Sequence, residues 1–111
     1  MVRSNNDPLV IAGGGGGIPV KKNEDGSYGG VEAVIDKDYV ASILARDLDA
    51  DLFIILTQVP MVAENFARPN QRWLRTLPVQ RAREMMEANQ FPAGSMAPKV
   101  RSAIQFVEAT G

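Results

Sequence analysis

The hydrophobic residues of this 111-residue sequence fall into short apolar runs and into longer stretches with helical spacing. Residues 9–12 and 52–57 are apolar almost throughout, a pattern typical of strands that are buried on both faces of a parallel sheet. Between them, the polar and glycine-rich residues 21–30 predict a surface hairpin or excursion, and residues 31–36 return to apolar character. The pattern therefore predicts about three strands, of which residues 52–57 are the clearest.

Three further segments have apolar residues at the three- and four-residue spacing of an amphipathic helix. Asp36 or Asp38 can cap the first helix, because a carboxylate accepts hydrogen bonds from free amides at a helix start. Pro78 suits the first turn of the second helix, and Ser95 is a plausible N-cap for a third helix that ends near Gly111. The three apolar stripes are Val40, Ile43, Leu44 and Leu48; Val79, Ala82, Met85 and Met86; and Val100, Ala103, Ile104 and Val107.

Apolar strands that alternate with amphipathic helices predict an α/β fold, with three layers in which helices cover a mainly parallel sheet. Residues 61–77 are expected to be irregular, with a turn at Pro69-Asn70. The chain ends on a helix where the alternation would normally supply another strand, so we expect the sheet to be incomplete. The sequence shows neither an internal repeat nor an interdomain linker, which indicates a single domain.

The composition excludes several kinds of chemistry. Cys and His are both absent, which excludes disulfides, thiolate nucleophiles and histidine bases, and leaves charged side chains, hydroxyls and backbone amides. No segment approaches the roughly 18 apolar residues of a membrane span, and residues 1–12 do not have the pattern of a signal peptide. Asp47, Asp49 and Asp51 lie at a helix end without the glycine register of a calcium loop, so no metal site is predicted.

The net charge of −1 conceals an uneven distribution along the chain. Residues 1–60 hold five Lys or Arg against nine Asp or Glu, whereas residues 61–111 hold seven against four. Arginines from Arg68 to Arg83 flank Trp73, so nucleic-acid binding is one hypothesis for this stretch. A solvated helix and loop surface is the simpler interpretation.

Five consecutive glycines, Gly13 to Gly17, lose much conformational entropy in a folded chain and therefore require a reason. Apolar residues flank the run on both sides. This favours a loop embedded in the fold, whose bare amides approach an anion or a small planar substrate, over a flexible linker. The run has neither the Gly-Lys pair of a P-loop nor the register of a dinucleotide-binding loop.

Lys37 lies between two aspartates at the start of the first predicted helix. It is either a solvated side chain beside an N-cap or a lysine, held by Asp38, that stabilises charge on a transferring phosphoryl group. Lys99, at the opening of the last predicted helix, allows the same two interpretations. Neither lysine decides the question alone.

Four stretches taken together resemble the carbamate kinases, a family within the amino acid kinases. They are VIAGGGGGIPV at 10–20, GVEAVIDKD at 30–38, residues 50–57, and QFPAGSMAPKV at 90–100. The stretches occur in that family's order and run through essentially the whole chain. The GVEAVIDKD and GSM-x-PKV strings are specific to carbamate kinases within the wider family.

This resemblance implies an amino acid kinase fold and phosphoryl transfer between ATP and carbamate, which runs readily from carbamoyl phosphate and ADP toward ATP. It implies that Lys37 is the catalytic lysine, that Asp38 orients the catalytic lysines, and that Mg²⁺ is held mainly by phosphate oxygens. The glycines implied to line the active centre are Gly14, Gly15, Gly16 and Gly17, and the implied nucleotide-binding residues are Thr57, Met96 and Lys99.

The same resemblance implies a cytoplasmic enzyme of arginine metabolism that is a homodimer when intact and binds no nucleic acid. Gln58 stands where the family usually has an acidic or small residue, and Arg101 stands where Glu is common. The family's N-terminal half and last strand have no counterpart here, so we expect residues 1–111 to be a partial nucleotide-binding lobe that is inactive alone. A non-catalytic nucleotide-binding remnant is the alternative.

Overall fold

The computed structural model describes residues 9–111, which form three helices and two small sheets. The elements in chain order are β1 (Val20–Lys22), β2 (Tyr28–Gly30), α1 (Lys37–Asp47), β3 (Val62–Glu64), β4 (Arg72–Leu74), α2 (Val79–Glu87) and α3 (Met96–Thr110). The α/β class and the three predicted helices are confirmed. The N-terminal segment in which no signal peptide is predicted lies mostly outside the described residues.

The predicted mainly parallel sheet is not confirmed within residues 9–111. Each of the two sheets has two antiparallel strands, and neither residues 9–12 nor residues 52–57 form a paired strand there. A strand needs hydrogen bonds from a neighbouring strand, which an apolar run cannot supply by itself. Along residues 52–56 the exposure nevertheless alternates, with Phe53 and Ile55 half-buried and the three residues around them exposed.

The predicted hairpin within residues 21–30 is confirmed as β1 and β2, which pair in the register Val20 with Gly30 and Lys22 with Tyr28. The hairpin of β3 and β4 was not expected, because its strands of three residues are too short to show a two-residue period. The turn between them includes the predicted Pro69-Asn70 turn, in which the Gln71 amide donates to the Arg68 carbonyl at 3.0 Å.

Helix α1 begins after Asp36, whose Oδ1 accepts from the amides of Asp38 at 2.8 Å and Tyr39 at 3.1 Å. The predicted apolar stripe is only partly buried, because Leu48 lies beyond the end of the helix and is 76% exposed. The fully buried position of α1 is Ser42, a small residue on a helix that packs against α3. A small side chain at this position lets two helices approach closely.

The hydrophobic core lies between α2, α3 and the connection that joins them. Its buried residues are Ala82, Met85, Phe91 and Val100, with Val62, Leu74, Leu77, Met86, Met96, Ala97 and Ile104 packed around them. Met85, from the predicted apolar stripe of the second helix, is 2% exposed and fills this core. A salt bridge from Arg83 to Glu108, at 2.5 Å, joins the outer surfaces of α2 and α3.

Helix α3 begins directly after Ser95, as predicted, although the Ser95 side chain makes no capping hydrogen bond. The helix ends at Gly111, whose amide donates to the Val107 carbonyl and whose φ of +88° suits glycine. Among the described residues, no helix is long and apolar enough to cross a membrane.

Candidate functional site

A cavity of about 550 Å³ opens beside the start of α3. Most of its lining residues are apolar. They are Leu56, Thr57, Gln58, Val59, Met61, Ala63, Phe66, Gln90, Phe91, Pro92, Ser95, Met96 and Lys99. Three parts of the chain therefore meet here: the end of the second apolar run, the β3 hairpin, and the connection into α3. A concave apolar surface with a few polar groups is typical of a small-molecule site.

The structure brings together at this cavity the three residues expected to bind a nucleotide, Thr57, Met96 and Lys99. Met96 and Lys99 lie one helical turn apart in the first turns of α3, so both reach the same opening. Met96 also packs against the core, so it belongs to both the core and the cavity wall.

Lys99 and Asp38 form an ion pair that joins the cavity to the start of α1. The Lys99 Nζ lies 3.0 Å from Asp38 Oδ2 and 3.2 Å from Oδ1, and the two side chains are only 21% and 15% exposed. Asp38 is free for this role because Asp36 caps the helix. Lys37 is the neighbouring residue and is exposed at the first position of α1. The shielded Asp38 carboxylate is therefore paired with Lys99, while Lys37 precedes it in the chain.

The glycine loop lies against the residues that lead into α1. Gly16 is buried, its φ is +117°, and a Cβ there would stand 2.9 Å from the Ile35 carbonyl oxygen. Its amide donates to the Gly13 carbonyl at 2.8 Å. Any larger residue at position 16 would therefore strain the backbone and clash with it. Gly16 is thus tightly fitted against Ile35, whereas the other four glycines of the run are exposed.

The Thr57 hydroxyl is already engaged within the chain. Thr57 Oγ1 donates to the Val59 carbonyl at 2.6 Å and accepts from the Val59 amide at 3.2 Å. A hydroxyl has a single proton, so Thr57 has none left to donate to a ligand in this conformation. Its contribution here is to shape the loop that forms one rim of the cavity.

The sequence did not single out Phe66, Gln90 or Phe91 as site residues. Phe66 falls in the stretch expected to be irregular, where no periodicity marks which side chains turn inward. Its ring meets that of Trp73 edge to face, with centroids 6.2 Å apart. Gln90 and Phe91 belong to the motif-bearing stretch at 90–100, so their proximity to Lys99 was the one available signal.

The arginines around Trp73 are largely paired with carboxylates. Glu64 binds Arg72 at 3.1 Å and Arg81 at 2.7 Å. Hydrogen bonds to Glu84 and then to Glu64 raise the pKa of Arg81, and those to Glu108 raise the pKa of Arg83. This pairing does not favour the nucleic-acid hypothesis, because a phosphate backbone would have to displace these carboxylates.

A family model described as the amino acid kinase family matches residues 1–111. This chain belongs to the amino acid kinase family. It is 46% identical over 95% of its length to a carbamate kinase-like protein of Mycoplasma pneumoniae, and 49% identical over 92% to carbamate kinase 2 of Enterococcus faecalis. The chain covers 34% and 32% of those two proteins, so it spans about a third of the curated relatives it matches.

The backbone fold of this chain is also similar to that of a solved structure. The chain superposes on carbamate kinase from Giardia lamblia bound to AMP-PNP with a TM-score of 0.80 and 44% identity. The match covers 87% of this chain and 30% of the Giardia chain. The fold neighbours are therefore amino acid kinases, as the motifs implied.

Proposed function

We propose that this chain forms part of a carbamate kinase, which transfers a phosphoryl group between ATP and carbamate. The observation that carries this proposal is the position of Lys99, which lines the cavity and is paired with Asp38 beside Lys37. The cavity wall thus includes one lysine, Lys99, whose carboxylate partner directly follows Lys37 in the chain. Similarity to carbamate kinases, including one bound to AMP-PNP, supports the same activity.

The cavity would take the base of ADP or ATP. Its volume lies within the range of small-molecule sites, and its apolar wall suits a planar base. Met96 and the rim shaped by Thr57 would contact the nucleoside, and the Lys99 ammonium would reach toward the phosphates. This assigns one function to each of the three residues expected to bind a nucleotide.

The phosphoryl group would transfer near Lys37 and the glycine loop. In the direction of ATP synthesis, a terminal oxygen of ADP attacks the phosphorus of carbamoyl phosphate, and the bond from phosphorus to the carbamate oxygen breaks, releasing carbamate. Such transfers depend on positioning and on stabilising charge on the phosphoryl oxygens. Lys37 and the amides of Gly14, Gly15, Gly16 and Gly17 would supply this charge stabilisation, with Asp38 orienting Lys99.

Magnesium would accompany the nucleotide, supplying charge neutralisation on the phosphates. Among residues 9–111, no group of three or more His, Cys, Asp or Glu side chains could hold a metal ion. We propose that the ion takes its ligands mainly from phosphate oxygens and water. A cytoplasmic homodimer acting in arginine metabolism is the setting that we propose for the whole enzyme.

The proposal assigns residues 1–111 to a nucleotide-binding lobe. Because the chain spans about a third of its relatives, we expect the isolated chain to bind nucleotide without measurable phosphoryl transfer. An assay of ATP formed from ADP and carbamoyl phosphate checks the expected lack of phosphoryl transfer. Turnover by the purified 111-residue chain would show that the chain suffices for catalysis.

Calorimetric titration with ADP tests nucleotide binding directly. We expect Lys99→Met to weaken ADP binding about tenfold or more, since a hydrogen bond to a charged group is worth roughly 1.5–3 kcal/mol. Arg101→Met is the matched control, because it removes a positive charge from the same helix outside the cavity. An unchanged affinity in Lys99→Met, or no heat from the wild-type chain, would contradict the proposal.

A further inference from the structure

The turn that follows β3 is held by a side chain from a distant part of the chain. The Asn65 amide donates to Gln90 Oε1 at 3.3 Å, a partly buried contact between residues 25 positions apart. Asn65 has a φ of +52°, in the left-handed region that few residues adopt. The Arg68 amide then closes the turn by donating to the Asn65 carbonyl at 3.0 Å. The Ala67 amide also donates to Gln71 Oε1 at 2.8 Å, so the Gln90 acceptor adds a distant support to the local hydrogen bonds of this turn.

The same turn carries the aromatic wall of the cavity. Phe66 directly follows Asn65, lines the cavity, and meets Trp73 edge to face at 6.2 Å between centroids. Moving the Asn65 backbone would therefore move the Phe66 ring relative to both the cavity and Trp73. Trp73 is the only tryptophan of the sequence, so it reports on this geometry without any label.

Gln90 is itself firmly placed. Its amide donates to the Met85 carbonyl at 2.9 Å, and Met85 is one of the most deeply buried residues. The next residue, Phe91, is 7% exposed and belongs to the core. The Gln90 backbone is therefore anchored to the core, while its side chain lines the cavity and accepts from Asn65.

We propose that Gln90 is a positioning residue for the nucleotide base, because its side chain holds the 65–68 turn and so sets Phe66 as the aromatic wall of the cavity. This inference rests on the proposed function, since it concerns how the same cavity binds the nucleotide base. Gln90 acts through Asn65 and Phe66. Replacing Gln90 should therefore weaken the binding of the nucleoside part of the ligand and leave the binding of the phosphates unchanged.

Gln90→Leu removes the acceptor while keeping a side chain of similar size, and Gln90→Glu keeps a carboxyl oxygen that can accept from Asn65. We expect Gln90→Leu to weaken adenosine binding about tenfold, and Gln90→Glu to stay within about twofold of wild type. Adenosine is the probe because its neutrality removes any repulsion from the introduced carboxylate. Tripolyphosphate is the second probe, and its affinity should not change in Gln90→Leu.

Trp73 fluorescence of the ligand-free protein is an independent measure of the position of the Phe66 ring. We expect its emission to change in Gln90→Leu and to return to the wild-type spectrum in Gln90→Glu. Gln105→Leu is the matched control, because it makes the same replacement on α3 away from this cavity. It should leave both the Trp73 emission and adenosine affinity unchanged.

The outcomes separate this inference from the function on which it rests. If the wild-type chain binds adenosine or ADP and Gln90→Leu binds adenosine equally well, the inference is wrong and the proposed function stands. Equal losses for adenosine and tripolyphosphate, or an unaltered Trp73 spectrum, would also overturn the positioning role. If wild type binds no nucleoside or nucleotide, the proposed function fails and the positioning role fails with it.

Discussion

Two regions of this chain have similarly apolar sequences but opposite exposure. In residues 62–107 the apolar stripes of α2 and α3 meet, and Met85 and Val100 are 2% and 6% exposed. In residues 9–56 the apolar runs stay open, and Ile11 and Leu56 are 94% and 85% exposed. A helix carries its own hydrogen bonds and needs only a second apolar face nearby. A buried strand needs both a neighbouring strand and a covering layer.

The largest expected effect comes from truncating the same kind of side chain in each region. Met85→Ala should lower the free energy of unfolding by about 2–5 kcal/mol, because it leaves a cavity in a packed core. Ile54→Ala should change it by less than about 0.5 kcal/mol, because Ile54 is already 69% exposed. Urea titration of both variants measures the difference. Comparable losses would mean that the two regions are equally packed.

A smaller loss of stability is expected at Gly16, which is the tightly fitted position of the glycine loop. Gly16→Ala should cost roughly 1–3 kcal/mol of unfolding free energy, because φ is +117° and the new Cβ meets the Ile35 carbonyl. Gly15→Ala is the control, since its φ lies outside the left-handed region and nothing lies within 4 Å of its Cβ position. Thermal melts of the two variants decide between an embedded loop and a linker, which would tolerate both equally.

The smallest effect concerns the β1–β2 hairpin, where order comes from hydrogen bonds on an exposed surface. Hydrogen bonds from the Ser27 hydroxyl, at 2.6 Å, and amide, at 2.9 Å, lower the pKa of Asp25. They favour the charged carboxylate, so their stabilisation is present above the ordinary aspartate pKa. It is lost as pH falls through the lowered value.

The Ser27 amide shift, followed by NMR against pH, measures this transition in the hairpin. We expect a midpoint below that of an ordinary aspartate, and Ser27→Ala should move the Asp25 midpoint upward, because the hydroxyl hydrogen bond is the larger cause. A wild-type midpoint at the ordinary value would mean that these hydrogen bonds do not persist in solution.

The sequence predicts the helices of this fold better than its strands. Asp36 and Ser95 marked the starts of α1 and α3, because capping and periodicity act over a few residues. The parallel sheet was expected from residues 9–12 and 52–57, whose partners no local pattern can specify. The hairpin of β3 and β4 was missed because its three-residue strands leave no measurable period.

The candidate site was partly predictable for a related reason. The motif stretch that contains Met96 and Lys99 pointed to residues that do line one cavity with Thr57. The engagement of the Thr57 hydroxyl with Val59, and the reach of Gln90 to Asn65, depend on conformations that residue identity does not reveal. Motifs identify which residues approach a ligand, whereas geometry determines which of their atoms remain available.

The ion pair between Asp38 and Lys99 joins residues 61 positions apart, so it has a consequence for the order of folding. Closing a long loop costs more chain entropy than closing a short one, and α2 is joined to α3 by only a brief connection. We therefore expect α2 and α3 to associate first and α1 to dock last. The first turn of α3, where Lys99 lies, would then gain its charged partner only in the final step.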